Sequence, residues 1–228
     1  MRNIIKPLWR YRWLFLRSEI DRMMSLSMLF SAFLVLVRVL YTGERDYRFL
    51  LWNLFLAYIP YFMSNRLQYM PSWIEHRGKF ILFFCAWLLF IPNTFYILTD
   101  LFHLGGHTGA PLWYDLFLII SFAWNGLLLG ILSVRQMEKI IQVYIPRHTA
   151  WFFLYPVMVL NALGVYIGRY MRFNSWDVIT NPFGLMADIA QLVMHPIQHK
   201  EVWAMVCCFS AFMTLMFTTL KKISKMIW

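Results

Sequence analysis

FILFFCAWLLFIPNTFYILTDLFHL, residues 80–104, opens as a run that no water-exposed surface would carry and closes on Pro, Asn, Thr, Asp and His. The whole chain shares the character of the opening: 61% of its 228 residues are hydrophobic, 19% aromatic and 14% charged. Soluble proteins average roughly 45–50% apolar and about 25% charged residues, so this composition belongs to a polytopic membrane protein. A crossing takes about 20 mostly apolar residues. Six stretches approach that length: 24–40, 48–64, 80–101, 112–134, 149–170 and 202–220. The second is short and interrupted by Pro60, so a tilted or partly re-entrant segment competes with a full span there. Only a helix satisfies its own backbone hydrogen bonds in lipid, and the period-2 alternation of a membrane barrel is absent. The expected fold is therefore all-α, an integral membrane bundle of about six transmembrane helices.

Lysine and arginine set the expected orientation. The first 22 residues carry six of them and no small-residue cleavage site follows, so this stretch reads as mature chain and not as a removable signal. PLWRYRWLFLR, residues 7–17, mixes Trp, Leu and Phe with Arg, which suits a basic amphipathic helix at headgroup level beside anionic lipid. Residues 1–22 thus form one interfacial segment and 23–228 a single polytopic membrane domain. With the N-terminus in the cytoplasm, fifteen of the 21 Lys and Arg fall inside, against Arg38, Arg45, Arg48, Arg169, Arg172 and Lys200 outside. That asymmetry follows the positive-inside rule and places both termini in the cytoplasm. It also accounts for the net charge of +10 without nucleic acid as a partner. Acids and histidines run the other way: Asp100, Asp115, Asp177, Asp188, His103, His107, His195 and His199 all fall on the outer side. Cys85, Cys207 and Cys208 lie within apolar runs and read as small fillers, not as a disulfide framework.

Positions three and four apart on a helix share a face. In the third run that line is Asn93, Tyr96, Asp100 and His103, and a kink at Pro92 tilts it toward the bundle interior. The fourth run carries Tyr114, Ser121 and Asn125 with Asp115 near its outer end; the fifth carries Asn161, Gly164, Gly168 and Arg172. The pairs Gly126/Gly130 and Gly164/Gly168 let backbones approach closely, so the third, fourth and fifth runs are expected to pack together. Asn125 and Asn161 read as interhelical hydrogen-bonding residues. After the fifth run, Asn181 is a good N-cap and Pro182 a good first helical residue, giving a short helix to about 194. Its polar face is Asp188, Gln191 and His195, opposite Leu185, Met186, Ile189, Ala190 and Val193, so it is expected on the membrane surface or as a lid on the bundle.

PNTFYILTDLFHL, then PLWYDL, SFAWNGLLLG and YIGRYMRFNSWDV, resemble the successive signature segments (PNxxYxxTDLxHL, WYDL, GRYxRxNSWD) of a bacterial multi-pass membrane-protein family catalogued as a domain of unknown function. The likeness covers roughly residues 50–200 and leaves out the basic N-terminal segment and the last run. It implies a bacterial plasma-membrane location and a shared site built from these motifs. It brings no reaction, substrate or cofactor with it.

The chemistry must come from the residues. Asp100 and His103, at i and i+3, together with Asp115 and His195, form a nitrogen and oxygen set of the kind that suits Zn, Mn or Fe, or that does acid–base work without a metal. The alternative is a set of hydrogen-bonded residues that hold the outer helix ends together; DxxH is far commoner than metal sites. Arg169 and Arg172, followed by Asn174 and Asp177, are of the type that grips a lipid phosphate or pyrophosphate bidentately, with an ion pair to Asp177, Asp100 or Asp115 as the alternative. Asn93 and Tyr96 would complete the substrate-binding side. No lysine lies within a span, which excludes a retinal Schiff base, and there is no GxSxG, Walker or kinase signature. Two function classes fit: a metal- or acid–base-dependent hydrolase or transferase acting on anionic envelope lipids, and a non-catalytic protein that engages an envelope-assembly or division partner. A small-solute carrier fits less well, because the midplane holds only Asn93, Asn125 and Asn161.

Overall fold

A computed structural model describes residues 19–106, 109–144, 146, 151–173 and 180–226. The expected basic amphipathic helix lies almost wholly outside these residues, as do His107, Asn174 and Asp177. Every regular element among the described residues is helical: α1 (Glu19–Thr42), α2 (Phe49–Leu67), α3 (Pro71–Glu75), α4 (Arg77–Phe90), α5 (Pro92–Tyr96), α6 (Leu112–Ile141), α7 (Trp151–Tyr170), α8 (Pro182–Met194) and α9 (Lys200–Met226). Short 3₁₀ turns at Asp46–Arg48 and Ile97–His103 complete the order. Five segments are long and apolar enough to cross a membrane: Glu19–Thr42, Arg77–His103, Leu112–Ile141, Trp151–Tyr170 and Lys200–Ser224.

The remaining long helix, α2, is not among the five. Asn53, Ser64, Asn65 and Arg66 lower its hydropathy, and Pro60 lies inside it without ending it. It nonetheless buries Leu50, Leu54, Ala57, Tyr61 and Leu67 in the bundle and packs along α6. Its polar groups are spent on neighbours. Ser64 Oγ lies 3.0 Å from Ser133 Oγ of α6, the Ser133 hydroxyl reaches the Pro60 carbonyl at 2.8 Å, and the Trp87 indole of α4 donates to Ser133 at 2.8 Å. One buried serine thus ties three helices together.

The hub is α6, the most enclosed of the long helices. Its two halves serve two cores. Phe122, Leu118 and Ile119 face α1 and α2, whereas Leu127, Ile131, Val134 and Met137 join α4, α5, α7 and α9. The glycine seams show why the third, fourth and fifth runs meet. A Cβ at Gly126 would sit 2.5 Å from the Thr94 carbonyl, and one at Gly130 would sit 2.7 Å from the Phe95 ring. On the other flank a Cβ at Gly164 would sit 2.5 Å from Pro92 Cγ. The PNTFY segment is therefore clamped between two notched helices at a distance that only glycine allows.

The helix is interrupted at Pro92, where a kink is expected, and the winding beyond it alters the stripe. α4 stops at Phe90, Pro92 starts α5, and from Ile97 the chain tightens to 3₁₀ winding. Proline removes the backbone donor that would reach the Leu88 carbonyl, and beside that gap the Asn93 side-chain amide donates to the Phe90 carbonyl at 2.9 Å. At about three residues per turn, Ile97, Asp100 and His103 fall in line, while Tyr96 aligns with Thr99 and Phe102. A single wet face of Asn93, Tyr96, Asp100 and His103 requires α-helical winding throughout; with the tighter turn His103 leaves the line, while Tyr96 and Asp100 stay within reach of one guanidinium, that of Arg169.

Candidate functional site

Asn93 and Tyr96 line a cleft of about 460 Å³ between α2, α4, α5 and α7, with Leu185 and Ile189 of α8 on its border. Trp52, Leu88, Leu160 and Ile167 give it apolar walls. Its polar residues are few: Asn53, Asn93 and Tyr96, with the Cys85 thiol beside them in the lining. Mostly apolar cavities with a few placed polar groups are the usual form of small-molecule sites. Gly168 keeps the wall shallow beside Tyr96, where a Cβ would meet the ring at an ordinary 3.4 Å.

Behind the polar end lies Asp100, 1% exposed. The Asn53 amide donates to one carboxylate oxygen at 2.9 Å, and the Arg169 guanidinium donates to the other at 3.3 Å. The same guanidinium nitrogen reaches the Tyr96 hydroxyl at 3.5 Å, and the arginine lies 5.8 Å and 5.6 Å from the Tyr96 and Phe102 ring centres. A buried carboxylate needs such partners, because an unpaired charge away from water costs several kcal/mol or more. Asn53, Tyr96, Asp100 and Arg169 therefore form one unit contributed by α2, α5, the 3₁₀ turn and α7.

Asp115 belongs to a second unit. Its carboxylate is gripped by Arg38 of α1 through Nε at 2.7 Å and a terminal nitrogen at 3.2 Å, both side chains being essentially enclosed. Asp46 stands 3.9 Å from Arg38, and the arginine covers the Tyr47 ring at 4.5 Å. Burial, reinforced by the Asp115 charge, pushes the Tyr47 hydroxyl up to about 12, so it stays a neutral donor and reaches the His103 carbonyl at 3.3 Å. The His103 ring packs edge-on to Phe49, 5.1 Å between centres.

The expected site residues are thus distributed over several places. Asn93 and Tyr96 line the cleft, with Asp100 and Arg169 directly behind. Asp115 sits in the Arg38 ion pair, and His103 lies against Tyr47 and Phe49. His195 is exposed at the end of α8, and Arg172 is exposed with a left-handed φ of 59°. Among the described residues no three His, Cys, Asp or Glu gather into a metal-binding set. Of the carboxylates weighed as partners for Arg169, the structure pairs it with Asp100, at 3.3 Å. Two members were not anticipated. Arg38 was legible, since an ionisable residue inside an apolar run is a signal in itself. Asn53 carried no such mark.

Five helices long and apolar enough to cross a membrane, packed on apolar cores that enclose a few paired polar groups, define a multi-pass helical membrane protein. The chain belongs to the family described as Protein of unknown function (DUF1361), whose model matches residues 52–216. The match includes Asn53, Tyr96, Asp100, Asp115 and Arg169, and it continues into α9, beyond the end near residue 200 expected from the motifs. No curated protein and no solved structure matches the chain.

Proposed function

We propose that the protein binds an anionic membrane amphiphile, its apolar tail in the cleft and its headgroup at the end made by Asn53, Asn93 and Tyr96. The observation that carries this reading is the pairing of an apolar cleft with a polar end backed by the buried Asp100–Arg169 unit. The Arg169 guanidinium, paired with Asp100 but with further donors to offer, and Arg172 nearby in sequence favour phosphate or carboxylate. We place the site on the outer side of a bacterial plasma membrane, with α2 as a sixth crossing and both termini in the cytoplasm. The charge asymmetry supports that orientation, and about 28 Å of rise over the 19 residues of α2 supports the crossing.

A catalytic form of the reading has one specific observation in its favour, the buried carboxylate of Asp100 next to the polar end. There the protein would be a hydrolase or transferase of envelope lipids with Asp100 as acid–base group. The test begins with organic extraction of the purified protein and mass spectrometry of what it retains. Wild type is expected to carry an anionic amphiphile; Cys85→Trp, which puts an indole into the cleft, is expected to lose it while keeping its helical circular dichroism. A wild type without bound lipid, or a variant that retains as much, overturns the proposal. Turnover of the extracted lipid by wild type and not by Asp100→Asn would establish the catalytic form.

A further inference from the structure

α8 has three faces where an ordinary surface helix has two. Leu185, Ile189 and Leu192, at i, i+4 and i+7, form the first: two of them border the cleft and Leu192 is buried. Asp188, Gln191 and His195 form the second, polar face. The third is Phe183, Met186, Ala190 and Val193, displaced from the first by roughly a third of a turn. It is apolar and open, with Phe183 85% and Met186 68% exposed, and Ile197 just beyond the helix is 88% exposed. The helix is nonetheless anchored: the Asn181 side chain accepts from the Gly184 amide at 3.2 Å, and the Trp203 indole of α9 donates to the Leu192 carbonyl at 3.0 Å.

We infer that this open stripe docks into a lipid surface, the headgroup layer on the side where α7 ends and α9 begins. Residues 171–199 join Tyr170, the end of one membrane-crossing helix, to Lys200, the start of the next, so α8 is confined to that surface. A helix there with an apolar stripe and a separate polar face lies in the interface plane. Seated so, α8 holds Leu185 and Ile189 over the cleft. The docking does not depend on what the cleft holds.

The test is depth measurement in vesicles of phosphatidylcholine and phosphatidylglycerol. Full-length protein with Cys85, Cys207 and Cys208 replaced by Ser receives one cysteine at a time, at Phe183→Cys, Met186→Cys, Asp188→Cys or Gln191→Cys, each labelled with bimane. Labels at 183 and 186 are expected to be quenched severalfold more by doxyl-lipid than by aqueous iodide, and those at 188 and 191 the reverse. Iodide quenching at all four positions places the stripe in water and overturns the proposal. Labels at 183 and 186 shielded from both quenchers place it against protein, which also overturns it. Because this readout needs no ligand in the cleft, it stands or fails separately from lipid retention.

Discussion

Asp115 is the residue on which a chemical and a structural account differ most sharply. In the structure it makes two hydrogen bonds to Arg38, at 2.7 and 3.2 Å, with both side chains out of reach of solvent. Asp115→Leu leaves the guanidinium enclosed, with Asp46 at 3.9 Å and the Tyr47 ring at 4.5 Å as its remaining company. Removing one partner of a buried pair costs about 3–5 kcal/mol when the other charge is left uncompensated; the partly exposed Asp46 offsets part of that here, so the lower end of the range is expected. Arg38→Met should cost a similar amount by stranding the carboxylate. The combined variant removes both charges and fills similar volume, so it should return to within about 1–2 kcal/mol of wild type. Unfolding in mixed detergent micelles, followed by circular dichroism, measures all three, and lipid extraction on the combined variant adds the functional readout. A combined variant as unstable as either single one refutes the ion-pair account. Asp115→Leu indistinguishable from wild type refutes it as well. A stable combined variant that retains lipid assigns Asp115 to the scaffold; one that is stable but loses turnover assigns it to chemistry.

Gly164→Ala drives a methyl against Pro92 Cγ at 2.5 Å and should cost about 1–3 kcal/mol, whereas Gly168→Ala meets the Tyr96 ring at 3.4 Å and should cost much less; parallel melts decide. Asn161 is buried, and neither atom of its amide has a hydrogen-bond partner among the described residues. Replacement by Leu should therefore raise stability by on the order of 1 kcal/mol, while Asn125→Leu, which removes a 2.9 Å bond to Ser31, should lower it. A destabilised Asn161→Leu would show that the amide has a partner. Tyr96→Phe removes the hydroxyl shared with Arg169 and should weaken amphiphile retention severalfold, leaving the melting profile within about 1 kcal/mol of wild type.

Composition and spacing made the membrane class legible, and the glycine spacings foretold that the third run meets the fourth and the fifth, because both depend on local pattern; the packing of α2 on α6 and of α7 on α9 carried no such mark. Asn125 behaves as its position suggested, bonding to Ser31 on α1. Asn161 does not, since its amide finds no described partner. The stripe of the third run was misread for a physical reason. Its periodicity assumed 3.6 residues per turn, but the α winding that resumes at Pro92 ends at Tyr96, and the 3₁₀ segment after it turns His103 toward Tyr47 and Phe49. The pairing of two aspartates with two different arginines was hidden for another. Arg38 lies 77 residues before Asp115 and Arg169 lies 69 after Asp100, and nothing local specifies either match.

These matches bear on what the site is able to do. Two buried carboxylates facing one cavity would each raise the other's cost of ionisation and suggest shared proton chemistry. Here each carboxylate has its own guanidinium, and the two pairs join different helices: Arg38–Asp115 links α1 to α6, and Asp100–Arg169 links the 3₁₀ turn to α7. The second bonds to groups that line the cleft, Asn53 and Tyr96. An anionic headgroup at that end would compete with Asp100 for Arg169. A guanidinium carries five donors, enough to hold a carboxylate and a phosphate oxygen at once. Binding that recruits Arg169 without releasing Asp100 preserves the helix contacts, whereas binding that displaces Asp100 would leave a carboxylate held by Asn53 alone. The second outcome frees a proton-accepting group next to the headgroup, and that displacement is what separates a catalytic site from a binding site in this fold.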